Sequence, residues 1–249
     1  MRKRILISND DGIGARGIQV LERALLPLGD VFVVAPDREQ SASSHSLTVR
    51  RPIEVRKLDD RHYSVSGTPT DCVVLALQVI LDAAPDIVVG GINHGPNMGE
   101  DVTYSGTVAV AFEGTILGVP SVAISALQRT VADEESNGRV ARLVVERALE
   151  HGMPAKSLLN VNIPNPEVSP PRGLRITKLG SRHYENFIEP AAPGLQSHYT
   201  IGGRDPVWRE DDGTDIAAVR LGYVSITPLD LDLTHYKAIV EMERWRFEL

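Results

Sequence analysis

Within its first 36 residues the chain reads apolar run, glycine-rich turn, amphipathic stretch, apolar run, and this order restricts the fold more than any other feature. Arg4–Ser8 (RILIS) is short and apolar at its centre. Gly17–Leu28 places Ile18, Leu21, Leu25 and Leu28 at helical spacing. Val31–Ala35 (VFVVA) is apolar throughout, rich in β-branched and aromatic residues, and stopped by Pro36. A strand apolar on both faces must be covered on both faces, as in a parallel sheet flanked by helices. Parallel neighbours need a crossover, which makes the first 36 residues a βαβ unit.

The alternation continues. Thr68 is placed to cap a helix, with Pro69 at its first position and Asp71 three residues after the cap. Cys72–Leu81 continues that helix through Val73, Leu77 and Ile80. Asp86–Gly90 (DIVVG) reads as a buried strand, Ser105 as the start of a small-residue helix through Leu117, and Ser121–Ser125 as the next strand. Arg139–Glu150 is an amphipathic helix and Leu158–Ile163 a further strand. After about residue 165 the pattern changes: Pro164, Pro166, Pro170 and Pro171 punctuate the chain, and short alternating stretches follow at Leu174–Lys178 and Tyr199–Gly202. The expected fold is therefore α/β, with residues 1–165 forming a Rossmann-like, doubly wound, mostly parallel core. Residues 166–249 form a β-rich extension suited to contacts between subunits, part of which returns to the core.

Composition narrows the function. At 42% hydrophobic and 24% charged, the 249 residues are typical of a globular protein. No apolar run approaches the roughly 18 residues of a membrane helix. Met1-Arg2-Lys3-Arg4 is basic like a signal-peptide start, but the apolar run behind it stops at Ser8. Cys72 is the one cysteine, which rules out an intrachain disulfide and a thiolate metal cage. The expectation is a cytoplasmic protein without membrane attachment. A net charge of −7 with no Lys/Arg tract argues against a nucleic-acid polymer as partner. A small phosphorylated substrate would need a local offset to its charge, from a metal ion or a helix N-terminus.

Two chemistries compete in the first turn. Gly12, Gly14 and Gly17 match the G-x-G-x-x-G dinucleotide fingerprint, with Asp37 about 20 residues on as a ribose-binding acid. Asp10 and Asp11, at the strand's carboxyl end, oppose a pyrophosphate: two like charges about 4 Å apart repel by roughly 4 kcal/mol at an effective dielectric of about 20. A hard divalent cation reverses that sign, so a metal site is favoured, with a dinucleotide-binding oxidoreductase as the alternative. The second strand end supplies hydroxyls at Ser41, Ser43 and Ser44, and the third supplies the Asn93 amide within Gly91-Ile92-Asn93-His94-Gly95-Pro96-Asn97. Each has a plain structural explanation: a helix cap, a surface loop, a turn. Ser105-Gly106-Thr107 opens a helix whose free N–H groups suit an anion. Together they bring carboxylates, a hydroxyl, an amide and an anion site to one sheet edge.

These segments carry a family resemblance. Ser8-Asn9-Asp10-Asp11-Gly12, Val34-Ala35-Pro36-Asp37, Gln40-Ser41-Ala42, Gly67-Thr68-Pro69-Thr70-Asp71-Cys72, the Asn93–Asn97 loop and Ser105-Gly106-Thr107 resemble the SurE (survival protein E) family. Asp212–Asp215 and Gly222–Pro228 resemble its C-terminal pattern. The resemblance implies a metal-dependent 5′- (and 3′-) nucleotidase, in some members also cleaving short polyphosphate. It implies one divalent ion per subunit, Mg²⁺ or Mn²⁺, held by Asp10, Asp11, Ser41 and Asn93. Phosphate falls to Asn97, Ser105, Gly106 and Thr107, and catalysis to Asp10, Asp11 and Asn97, acting on a nucleoside monophosphate. It further implies a C-terminal β-hairpin that exchanges between subunits to give a homodimer or homotetramer.

Overall fold

The computed structural model describes residues 2–127, 133–165, 170–183, 188–190, 199–201, 207–209, 211–245 and 247. β1 (Lys3–Ser8), β2 (Gly29–Pro36), β4 (His62–Val65), β5 (Ile87–His94), β6 (Ser121–Ala126) and β7 (Ser157–Ile163) run parallel in a sheet ordered β4-β2-β1-β5-β6-β7. β3 (Val55–Lys57) pairs antiparallel with β4 at one edge. At the other, β13 (Val224–Asp230) pairs antiparallel with β7, and β8 (Leu174–Ile176) lies parallel to β13. The order reverses at β1, between β2 and β5, and ligands of doubly wound sheets bind at the strand ends beside such a reversal.

Helices cover both faces, as the apolar runs require. α1 (Arg16–Leu25) and α4 (Asp133–His151) bury Ile18, Leu21, Leu25, Ala141, Val144 and Val145 against one face. α2 (Pro69–Leu75) and α3 (Gly106–Ile116) bury Cys72, Val73 and Val110 against the other. Ile5, Leu6 and Ile7 are successive residues pointing to opposite faces, and all are fully buried. Burial of each contributes roughly 1.5–3 kcal/mol. Thr68 and Asp71 form the capping box expected at α2: Thr68 Oγ1 accepts from the Asp71 N–H, and the Asp71 carboxylate accepts from the Thr68 N–H.

Several expectations change in detail. The first helix ends at Leu25, because Leu28 N–H turns back to the Leu25 carbonyl. The helix expected over Cys72–Leu81 is α-helical only to Leu75 and continues as a π-turn over Ala76–Ile80. β5 runs on past Gly90 to His94, through a register shift between Gly90 and Asn93, so Asn93 sits on the strand's end and not in the following loop. β3 and β4 were not foreseen: VRK is short, polar and exposed throughout, and HYSV alternates over only four residues, too few to stand out.

In the C-terminal part, β10 (Ile188–Pro190) pairs antiparallel with β11 (Tyr199–Ile201), and β9 (Ser181–His183) with β12 (Val207–Arg209). Gly202 and Pro166 lie outside the described residues. α5 (Asp215–Arg220) is capped by Thr214, whose hydroxyl accepts from the Ala217 N–H. α6 (Tyr236–Met242) buries none of its residues. Among the described residues no helix is long and apolar enough to cross a membrane.

Candidate metal and phosphate site

Asp10 and Asp11 leave β1 at the reversal of strand order. Asp10 is buried, and its Oδ1 accepts a hydrogen bond from Thr107 Oγ1 at 2.6 Å. The backbone N–H groups of Gly106 and Thr107, the first two residues of α3, also favour its charged form. Burial outweighs these donors and raises the Asp10 carboxyl above its ordinary value. Asp11 is raised too, first by burial and then by the Asp10 charge; the His94 N–H and imidazole and the Glu39 carboxylate are its other close influences. Among the described residues, no Lys or Arg forms an ion pair with either carboxylate.

Close packing brings α3 onto Asp10. A Cβ placed on Gly106 would lie 2.7 Å from Asp10 Cβ, 2.9 Å from Asp10 Oδ2 and 2.9 Å from Ser43 Oγ. Only glycine permits that approach. The Ser43 hydroxyl facing this point is itself buried without a hydrogen-bond partner. Its loop is tied to the segment before α3, because Ser44 donates from N–H to the Tyr104 carbonyl and from Oγ to the Thr103 carbonyl.

The remaining expected ligands are oriented as neutral oxygen donors. Ser41 is exposed and donates its hydroxyl proton to Glu39 Oε1 at 2.6 Å, which leaves its oxygen lone pairs free. Asn93 donates from Nδ2 to the Gly95 carbonyl at 2.9 Å, which turns Oδ1 away from that contact. Among the described residues no three His, Cys, Asp or Glu side chains gather as a metal-holding group, so the serine and asparagine oxygens are needed to complete a set. A buried and a half-buried carboxylate without a Lys or Arg partner, together with two oriented neutral oxygens, fit a hard divalent cation.

For an anion, the structure alters the emphasis. Ser105 Oγ accepts from the Val108 N–H as the cap of α3, and the Thr107 hydroxyl is committed to Asp10. The donors left at Ser105-Gly106-Thr107 are therefore backbone N–H groups, and Asp10 already faces them. Asn97 is buried, and one amide proton goes to Ser125 Oγ at 2.7 Å. Its backbone is held by Asn160 and Asn162 of β7. The sequence reading passed over these two; the signal was an Asn-x-Asn alternation inside an otherwise apolar strand, which puts two amides on one face.

Gly17 explains part of the dinucleotide-like fingerprint differently. A Cβ there would lie 2.0 Å from the Ile92 carbonyl, so this glycine serves the packing of α1 on β5. His45, in the loop that follows β2, pairs through Nε2 with Glu113 Oε2 at 2.8 Å and stacks on Phe112.

Comparison with known proteins follows the same lines. The family model described as Survival protein SurE matches residues 5–186. A 5′-nucleotidase SurE of Gemmatimonas aurantiaca is 47% identical over 247 residues, covering 97% of this chain and 98% of its own. One from Legionella pneumophila (strain Paris) is 48% identical over 238 residues, covering 94% and 93%. The crystal structure of the SurE protein from Aquifex aeolicus superposes with a TM-score of 0.86 at 43% identity, over 98% of this chain and 100% of that one. These matches leave the oxidoreductase reading without support, and on them the chain belongs to the SurE family.

Proposed function

We propose that this protein hydrolyses nucleoside 5′- and 3′-monophosphates to nucleoside and phosphate, and short polyphosphate as a secondary substrate, with one Mg²⁺ or Mn²⁺ per subunit. The relatives named 5′-nucleotidase SurE support the reaction class. The observation that carries the chemistry is Asp10, buried against the N-terminus of α3, with the half-buried Asp11 beside it and, among the described residues, no Lys or Arg ion-paired to either. Asp10, Asp11, Ser41 and Asn93 would hold the ion. When bound, it supplies positive charge that offsets the phosphate and eases ionisation of a nearby water.

The chain's own groups do the rest. The partly positive end of α3 stabilises Asp10 as an anion and, beside it, the phosphate oxygens. Asn97 keeps one amide proton beyond its bond to Ser125, and that proton is available to a phosphate oxygen. Asp10 Oδ1 is committed to Thr107, so proton transfer falls to Asp11. In the metal-free site its carboxyl is raised by burial and by Asp10; its role in the reaction would be to take a proton from water and return one to the leaving oxygen. Positioning and electrostatics carry most of phosphoryl transfer, so the site does not require an Arg or Lys.

The same reading puts the enzyme in the cytoplasm as a homodimer or homotetramer, with residues 166–249 contributing an exchanged hairpin. The decisive experiment is phosphate release from a panel of nucleoside monophosphates with each divalent metal and with chelator. Metal-dependent release that is lost in Asp11→Asn is expected. Release unaffected by chelator would refute the site.

A further inference from the structure

We propose that Asn162, assisted by Asn160, is a positioning residue for this site: its side-chain amide clasps the backbone of Asn97 and so fixes the loop that follows Asn93 and His94 at the end of β5. The inference rests on the hydrolytic reading above. β7 lies inside the sheet, between β6 and β13, and its two asparagines are both fully buried. Asn162 Oδ1 accepts from the Asn97 N–H at 2.8 Å, and Asn162 Nδ2 donates to the Asn97 carbonyl at 3.0 Å. Asn160 Nδ2 donates to the same carbonyl at 2.8 Å. One side chain thus satisfies both backbone groups of a single loop residue, as a neighbouring strand would, and a second fills the carbonyl's other lone pair. With Ser125 receiving one side-chain amide proton, β6 and β7 hold Asn97 by both of its backbone groups and by its side chain.

Burying amides in an apolar strand is costly unless they are bonded. Asn160 bears that cost in part, since its Oδ1 is buried without a partner. What both residues return is the location of Asn97, and between Asn93 and Asn97 lie only three residues. A shift of the clasped end is therefore transmitted directly to a proposed metal ligand at the other. The clasp needs one acceptor and one donor in a plane at asparagine's reach. Leucine matches the size and supplies neither; a carboxylate supplies two acceptors and faces the carbonyl with negative charge. A neutral carboxyl again has one acceptor and one O–H donor.

That chemistry makes the test specific. Wild type, Asn162→Leu and Asn162→Asp are assayed with saturating metal on a nucleoside monophosphate, at pH values from about 8 down to about 5, a range in which a buried carboxyl can take up its proton. Folded fraction is followed by circular dichroism at the same temperature. Folded Asn162→Leu should lose about 10²-fold in kcat, the scale of a misplacement near 1 Å, with KM changed much less, and its ratio to wild type should be flat with pH. The Asn162→Asp deficit should shrink as pH falls and its carboxyl becomes neutral. Exchange of the Asn97 N–H should be slow in wild type and fast in Asn162→Leu, whatever the activity. A folded Asn162→Leu with wild-type kcat, or an Asn162→Asp ratio as flat as that of Asn162→Leu, would overturn the proposal. If Asn162→Leu does not fold, the Asn162→Asp series carries the test alone. A wild type that releases no phosphate with any metal sinks the hydrolytic reading instead; unprotected exchange at Asn97 sinks the clasp.

Discussion

Replacing Gly106 by alanine perturbs the site with one methyl group. That methyl would sit 2.7 Å from Asp10 Cβ and 2.9 Å from both Asp10 Oδ2 and Ser43 Oγ. Carbon atoms pack at about 3.5–4.0 Å, so the Cβ–Cβ contact is about 0.8 Å short even of the near limit. The strain has few outlets. Asp10 is buried and held by Thr107 at 2.6 Å, and the α3 backbone is anchored by its Ser105 cap. Overpacking of this kind costs about 1–3 kcal/mol, and exchanging glycine for alanine in a helix returns up to about 1 kcal/mol. The net loss of about 0–3 kcal/mol lowers Tm by at most about 12 °C at this chain length. Displacing Asp10 or the α3 N-terminus by most of an ångström should instead cost about 10²-fold in kcat. The assay pairs phosphate release at saturating metal with thermal unfolding and metal titration of the chelator-treated protein. A folded Gly106→Ala whose kcat and metal affinity stay within about threefold of wild type would refute both the close packing and its importance for Asp10.

Further outcomes are expected. The folded-state carboxyl of Asp11 lies above its ordinary 3.8, so between that value and the folded one the native state binds more protons than the unfolded chain and stability falls as pH rises. Metal-free Asp11→Asn should therefore melt above metal-free wild type at neutral pH, and the difference should vanish below about pH 3.8; calorimetric scans across pH check this. Adding Mg²⁺ or Mn²⁺ at a hundred times its Kd should stabilise wild type by about 2.7 kcal/mol and leave Asp11→Asn nearly unchanged, as read from Tm with and without chelator. Gly17→Ala should unfold at markedly lower temperature, because its Cβ meets the Ile92 carbonyl at 2.0 Å, whereas Gly14→Ala, with nothing within 4 Å, should melt like wild type.

How much of this was written in the primary structure depends on the range of the interactions involved. Continuous apolar runs at Ile5–Ile7, Val31–Ala35 and Ile87–Val89 demand cover on both faces, and helical spacing at Ile18, Leu21 and Leu25 supplies it, so the parallel core was legible. The Thr68 capping box was equally local. Asp10, Asp11, Asn93 and Ser105–Thr107 were legible as candidates because each follows or opens an element at the sheet edge where ligands bind.

Tertiary structure decided what those candidates do to one another. Thr107 reads as a phosphate donor in the chain, but 97 residues of separation close into a bond with Asp10. Glycine at 106 is explained only by the aspartate that packs against it. Asn160 and Asn162 acquire meaning from a loop more than 60 residues away. β13 pairs antiparallel with β7 within the core sheet, a placement that proline punctuation and short alternating stretches do not encode. Local preference and periodicity are properties of neighbouring residues and can be read in order; burial, charge and hydrogen-bond partnership belong to residues brought together only when the chain closes on itself.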